Sequence, residues 1–290
     1  MRRADPVLPP DSVLITGCSS GIGRHAALAL EQMGYDIIAS VRKAEDVAPL
    51  QQEGIKCVQL DLDDPASIEA GLQAAIDLSE TGRLRALFNN GAFGLPGAVE
   101  DLSRDALRAQ FETNVFGTQA LTNRFIAHLR AHGKGGRIIY NSSVLGFAAM
   151  AYRGAYNASK FAIEGLADTL RLELWDTPID VVLIEPGPIT SRFRENAYAA
   201  FRRWIDPSES AHHAQYEAMI QRLKKEGPAA PFTLGPEAVT RALLRALESH
   251  RPRARYPVTL PTHLFAWLKR LLPTALLDRA LLEAGGNGRR

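Results

Sequence analysis

The sequence predicts a doubly wound α/β sandwich of three layers, with a mainly parallel central sheet of about seven strands between helices. Three observations predict it. Short apolar runs alternate with helical patterns along the chain, and strand–helix–strand units close as right-handed parallel crossovers. Residues 179–184 are almost continuously apolar, as a strand buried on both faces must be. A glycine-rich turn joins the first strand to the first helix.

Val13, Leu14 and Ile15 form the first strand. The helix after the glycines covers about 24–33 and stops at Gly34, a residue that ends helices without a Cβ penalty. Strands follow at 36–40 and 56–60. Asp64-Pro65 marks the start of a helix in the 65–80 region, since proline suits a first helical turn. After a strand at 84–88, one long helical stretch is predicted over 103–131, ending before the glycines at 133–136. A strand at 137–141 precedes a helix over 156–175, in which Leu166, Leu170 and Leu174 recur at helical spacing. No repeat or low-complexity linker divides the chain. The economical organisation is a loose arm at 1–11, one domain over 12–260, and an amphipathic extension at 261–290.

With 290 residues, 46% of them hydrophobic, the chain can bury a substantial core. Its 34 basic and 32 acidic residues leave a net charge of +2, which gives no general attraction to nucleic acid. Cys18 and Cys57 form neither a CxxC pair nor part of a metal-ligand cluster, so neither a disulfide nor a metal is expected. That usage fits a reducing, cytoplasmic compartment. Segment 1–11 lacks an apolar stretch of signal-peptide length, and no uncharged run approaches the ~18 residues of a membrane span.

Thr16-Gly17-Cys18-Ser19-Ser20-Gly21-Ile22-Gly23 lies directly between the first strand and its helix. Glycines there let a pyrophosphate approach the backbone, and the helix N-terminus supplies unpaired N–H donors with a partial positive charge. Gly17-Cys18-Ser19-Ser20-Gly21 also matches the G-x-S-x-G elbow of serine hydrolases. A hydrolase normally places several strands before its elbow, and no histidine here sits in a recognisable triad setting. After the second strand the chain reads Ser40-Val41-Arg42-Lys43, with no acid to bind a ribose 2′-hydroxyl. Arg42 can instead grip a 2′-phosphate with its bidentate fork, so NADP(H) is preferred over NAD(H), which the same fold also accepts.

Tyr156 and Lys160 are four apart at the start of a helix and share a face. A phenol titrates near ~10, so proton transfer near neutrality asks for about 4 kcal/mol of stabilisation of the phenolate. An ammonium at ~4 Å supplies that scale at an effective dielectric of about 20. Upstream, Ser143 follows an apolar strand at the carboxyl edge where doubly wound sheets bind ligands.

With these motifs in order, the sequence resembles the short-chain dehydrogenase/reductase family over about 12–190. The resemblance implies a Rossmann-type fold and hydride transfer between a nicotinamide dinucleotide and a carbonyl or alcohol. It places Gly17, Ser19, Ser20, Gly21 and Ile22 around the cofactor, Asp61 with Leu62 at the adenine, and Asn89 and Gly91 beside the cofactor. The family's N-N-A-G appears here with its last two positions swapped, as Asn89-Asn90-Gly91-Ala92. Pro186, Gly187, Ile189 and Thr190 match the segment that closes over the nicotinamide. Ser143 then orients substrate, Tyr156 protonates the carbonyl oxygen, Lys160 binds ribose and lowers the phenol, and Asn114 completes the proton relay. All four catalytic positions are occupied, which implies an enzyme rather than a dinucleotide-sensing regulator without turnover.

A substrate lid is expected over about 190–230, where Phe193, Ala197, Tyr198, Phe201, Trp204 and Ile205 give an apolar stripe. With the Glu185-Pro186-Gly187-Pro188 run, it resembles the hydroxysteroid and retinol dehydrogenase branch, which implies a bulky lipophilic ketone or alcohol. A homodimer or homotetramer is expected. In the extension, Leu264, Trp267, Leu268, Leu271 and Leu272 share a helical face. Three destinations suit such a face: the chain's own domain, a second subunit, or peripheral contact with a membrane.

Overall fold

A computed structural model describes residues 5–224, 227 and 230–286. Small parts of the expected arm, lid and extension, at 1–4, 225–226, 228–229 and 287–290, lie outside the described residues. The described strands are β1 (Ser12–Ile15), β2 (Asp36–Val41), β3 (Lys56–Gln59), β4 (Leu84–Asn89), β5 (Gly136–Asn141), β6 (Ile179–Glu185) and β7 (Arg255–Pro257). They form one sheet in the order β3-β2-β1-β4-β5-β6-β7, with every pairing parallel. The order reverses between β1 and β4, and that switch opens a crevice at the strands' carboxyl ends.

Side chains alternate across each strand, so each buried strand feeds two cores. Val13, Ile15 and Ile37 face α1 (Gly21–Gln32) and α9 (Glu237–Glu248), meeting Ala26, Leu30, Val239 and Leu243. Leu14, Ile38, Leu87 and Ile138 face the other layer, of α3 (Pro65–Leu78), α5 (Thr118–His132) and α6 (Gly154–Glu173). There they pack on Leu72, Leu121, Phe125 and Ile163. A short α2 (Val47–Gln52) links β2 to β3. The segment expected to form a lid is a helix pair, α7 (Phe193–Trp204) and α8 (His213–Lys224), and the last described helices are α10 (Leu260–Leu271) and α11 (Thr274–Ala284).

Three elements differ from the sequence expectation. The long helix over 103–131 is α4 (Arg104–Phe111), a wide π turn over Glu112–Gly117, and α5. The turn passes so close to the β3–α3 connection that a Cβ on Gly117 would lie 1.8 Å from the Leu62 carbonyl oxygen. One inserted residue hardly disturbs a helical hydrophobic pattern, so periodicity does not register it. Strand β7 has no apolar run to announce it, because Arg255 and Pro257 flank its one buried residue, Tyr256. On α10, Thr262 is the buried residue, whereas Leu264, Trp267 and Leu271 remain 51%, 62% and 70% exposed. Packing on its own domain therefore does not account for that apolar face. Among the described residues, no helix is long and apolar enough to cross a membrane.

Arg137 on β5 is fully buried. Its two terminal nitrogens donate to the carbonyls of Ala246 and Ser249 at the carboxyl end of α9, and Nε lies 3.8 Å from an Asp180 oxygen. The cation closes orphan carbonyls at the negative end of the helix dipole. Arg137→Ala is expected to cost about 3 kcal/mol, a fall in Tm of roughly 6–10 °C. An unchanged thermal unfolding curve would contradict that role.

Candidate active site

The glycine turn leaves β1 and enters α1 with Gly17 and Gly21 at φ of +71° and +60°, where a side chain would be strained. A Cβ on Gly17 would come within 2.7 Å of Gly91 Cα, and one on Gly23 within 2.4 Å of the Gly17 carbonyl oxygen. The turn therefore holds its shape only as glycine. Ser20 sits at the helix N-cap without capping it by its side chain, and no acid occupies the first turn. The amides and dipole of α1 are left for an anion. Ile22 packs down onto the core beneath, and Ser19 is exposed. No hydrogen bond joins Ser19 to a histidine among the described residues, so the hydrolase reading has no catalytic base.

Arg42 follows β2 immediately, beside the turn, where Cys18 N–H donates to the Ser40 carbonyl (2.9 Å). Its guanidinium is exposed and makes no hydrogen bond or ion pair with the described residues. Lys43 is by contrast paired with Glu45 at 2.9 Å. Asp61 accepts from the Asp63 amide (3.0 Å), and Leu62 packs against the Gly91 backbone. Asn89 turns its amide away to donate to Thr122 (3.0 Å).

The next residue, Asn90, ties the two ends of the site together. Its amide nitrogen donates to the Thr16 carbonyl (2.8 Å), and its oxygen accepts from Asn141 (2.9 Å). Thr16 Oγ1 accepts from the backbone N–H groups of Asn90 and Gly91 (3.0 and 2.9 Å). The Asn141 carbonyl in turn accepts from Lys160 Nζ at 2.7 Å. A continuous polar chain thus runs from the glycine turn to Lys160. Asn90 and Asn141 are the residues that sequence reasoning passed over. The doubled Asn89-Asn90 was the signal, because one of two adjacent strand-end residues faces away from the cleft.

Asn114 projects from the π turn and is buried. It accepts from the Phe93 amide (3.1 Å) and donates to the Phe93 carbonyl (2.9 Å) and to Ser159 (3.1 Å). Ser159 then donates to the Tyr156 carbonyl (2.8 Å). Ser143 accepts from the Leu145 amide (3.1 Å), and its hydroxyl is the group that pulls the Tyr156 phenol down. Pro186 accepts from Val144 N–H (2.7 Å), and Thr190 donates through its backbone to Leu234 (2.9 Å), with Ile189 bridged to the same residue. A Cβ on Gly187 would strike Thr259 Oγ1 at 2.1 Å, and Ser191 rests over Gly21 at the mouth of α1. The Pro186–Thr190 segment is therefore pinned between the tyrosine and the glycine turn.

Charges here behave differently from the simple ammonium argument. Burial pushes the Tyr156 phenol up to about 12, with the Ser143 hydrogen bond pulling it back. Burial likewise pulls the Lys160 ammonium down to about 8, against the attraction of Glu164 one turn along α6. Lys160 Nζ sits 5.7 Å from the centroid of the Tyr156 ring and spends its short bond on Asn141. Desolvation is the largest influence on the phenol.

Helices α7 and α8 pack beside this group. Ala197, Phe201 and Ile205 bury themselves against Tyr216, Met219 and Leu223 of α8, so most of the apolar stripe is lid packing. Phe193 instead stands edge-on to Tyr156, ring centroids 5.3 Å apart. Gly94 makes room for it, since a Cβ there would lie 2.5 Å from the Phe193 ring.

Fold and site together define a dinucleotide-binding α/β protein with its reactive groups at the carboxyl edge of the sheet. The short chain dehydrogenase family profile matches residues 11–200. Uncharacterized oxidoreductase YbbO of Escherichia coli (strain K12) is 42% identical over 270 residues, which is 93% of each chain. The human 17-beta-hydroxysteroid dehydrogenase type 1 is 30% identical over 260 residues, covering 85% of this chain and 77% of its own. A short chain dehydrogenase/reductase from Burkholderia phymatum, solved in complex with NAD, superposes with a TM-score of 0.76 at 22% identity. It covers 91% of this chain and 93% of its own. The chain belongs to the short-chain dehydrogenase/reductase family, and is an NAD(P)-dependent oxidoreductase acting on CH–OH and C=O groups.

Proposed function

We propose that the enzyme reduces a bulky lipophilic carbonyl with NADPH, with Tyr156 as the proton donor. The observation that carries this is the polar chain Thr16–Asn90–Asn141–Lys160, which couples the glycine turn to the helix bearing Tyr156. Gly17, Gly21 and Gly91 let the turn close into the shape that presents the backbone of residues 17–22 to a pyrophosphate. Arg42 holds the 2′-phosphate, Asp61 and Leu62 flank the adenine, and the Pro186–Thr190 segment covers the nicotinamide. Asn89 acts by anchoring its strand end on Thr122. When bound, the dinucleotide supplies the hydride.

Ser143 holds the carbonyl oxygen beside the phenol. With the phenol kept protonated by burial, Tyr156 enters the reduction ready to donate. Lys160 and Asn114 resupply the proton through water, and Asn114 also fixes the register of α6 through Ser159. The apolar walls given by Phe193, Ala197 and Leu223 support the lipophilic character of the substrate. The likeness to a hydroxysteroid dehydrogenase supports the same class. A homodimer or homotetramer belongs to this reading, supported by the exposed Phe116, Leu172 and Trp175. The open face of α10 supports peripheral membrane contact as another use of that surface, and the unpaired Cys18 and Cys57 support a cytoplasmic setting.

The test is dinucleotide oxidation with a panel of aldehydes, ketones, steroids and retinoids, offered with NADPH and with NADH. Turnover rising with substrate bulk and faster with NADPH is expected. Turnover confined to small polar carbonyls, or equal rates with both dinucleotides, would contradict the finer reading.

A further inference from the structure

Beside the Tyr156 ring, between α6 and the helix pair α7–α8, lies a small cavity whose apolar side is formed by Pro96, Phe193 and Leu223. Its other side is cationic, with Arg153 and Arg222 among its walls. Arg153 Nη1 donates to the Tyr152 carbonyl (3.0 Å) and lies 3.5 Å from Met219 Sδ. Its Nη2 is buried with no hydrogen-bond partner. Arg222, on α8, has a buried Nε without a partner and makes no hydrogen bond or ion pair with the described residues. Among those residues, no carboxylate lies within ion-pair distance of either guanidinium, although this chain pairs many of its other arginines.

Stability does not explain this arrangement. Arg153 is the N-cap residue of α6, where the helix dipole repels a cation. The two guanidiniums also repel each other: burial, with Arg222 adding to it, pulls Arg153 down to about 9. Buried guanidinium nitrogens ordinarily find partners, and an unpartnered set around a cavity marks a place where an anion is supplied from outside. The planar fork of arginine suits carboxylate and phosphate oxygens.

We propose that the substrate carries an anionic oxygen group, a carboxylate or a phosphate, that seats on Arg153 and Arg222 while its carbonyl lies at Tyr156. The inference rests on Tyr156 as the site of carbonyl reduction and narrows the substrate to a lipophilic acid. The apolar wall takes the hydrocarbon body, and the two arginines take the head.

The experiment compares medium-chain ω-oxo fatty acids with their methyl esters and with ω-oxoalkyl phosphates of equal length, using NADPH. In the wild type, kcat/KM for the acid or the phosphate is expected to exceed that for the ester by about 10- to 100-fold, the scale of one or two charge-assisted hydrogen bonds. The ratio falls toward one in Arg153→Gln and Arg222→Gln, and part of it survives in Arg222→Lys. An acid-to-ester ratio near one in an enzyme that turns over the esters overturns the anion site and leaves the reductase reading standing. Binding is read separately from turnover by thermal shift with NADP+ and decanoate, decyl phosphate or methyl decanoate. A rise in Tm with either anion but not the ester, lost in Arg222→Gln, supports the site. Equal shifts, or none with either anion, overturn it. Anion binding without turnover of any aldehyde counts against the role of Tyr156 and not against the site.

Discussion

Tyr156→Phe is expected to lower kcat about a thousandfold, or about 4 kcal/mol in activation free energy, with the Kd for NADPH within about threefold of wild type, since cofactor contacts outlast the loss of one hydroxyl. The ring stays in place, because it packs against Phe193 while its backbone carbonyl is held by Ser159, which Asn114 holds in turn. Only the proton is lost. Stopped-flow hydride transfer and a separate cofactor titration distinguish the two quantities, and substantial residual turnover would remove Tyr156 from the chemistry. The pH profile carries a second signature. The phenol, held near 12, remains protonated through the neutral range, whereas the Lys160 ammonium is held near 8 by burial. A lysine depressed in this way loses its charge as pH rises through that value. Reductive kcat is therefore expected to be level below about pH 8 and to fall above it. A falling limb set well above that pH would mean that the Lys160 charge is not required.

Arg42→Asp is expected to reverse the cofactor preference, changing the ratio of kcat/KM for NADPH over NADH by about 10²- to 10³-fold. Two effects add. The charge-assisted hydrogen bonds to a 2′-phosphate disappear, and a carboxylate appears where the ribose 2′-hydroxyl of NADH can use it. Arg42 is free to act because nothing else among the described residues engages its guanidinium, while Lys43 is held by Glu45. Kinetics with both dinucleotides at one saturating carbonyl concentration measure the ratio. An unchanged ratio would reduce Arg42 to a solvated surface cation. The residue is exposed, so the fold should survive the change.

Much of the site was legible because its signals are local. A strand, a glycine turn and a helix N-terminus are consecutive in the chain, and Tyr156 and Lys160 are one helical turn apart. Ser143 was legible because it ends a strand at the carboxyl edge. Asn90 and Asn141 were missed because their importance lies in bonds to residues far along the chain. The π turn that aims Asn114 escaped for a related reason, since its cause is the close approach of Leu62 to Gly117. The direction of the Tyr156 shift was misjudged because spacing reports which face a residue occupies and not how deeply it is buried.

Taken alone, the sequence determined the order of strands and helices, the glycine turn, the absent acid after β2, and the Ser143, Tyr156 and Lys160 set. These follow from periodicity and from residue types whose local conformations or charges leave few alternatives. Tertiary structure decided the rest. It closed the sheet with a seventh strand that has no apolar signature, and it left the α10 face open where a packed helix was one expectation. It also brought Arg153 and Arg222, from the start of α6 and from α8, to one cavity beside Tyr156. Burial, close approach and charge convergence depend on residues distant in the chain, so they arise only when the layers meet.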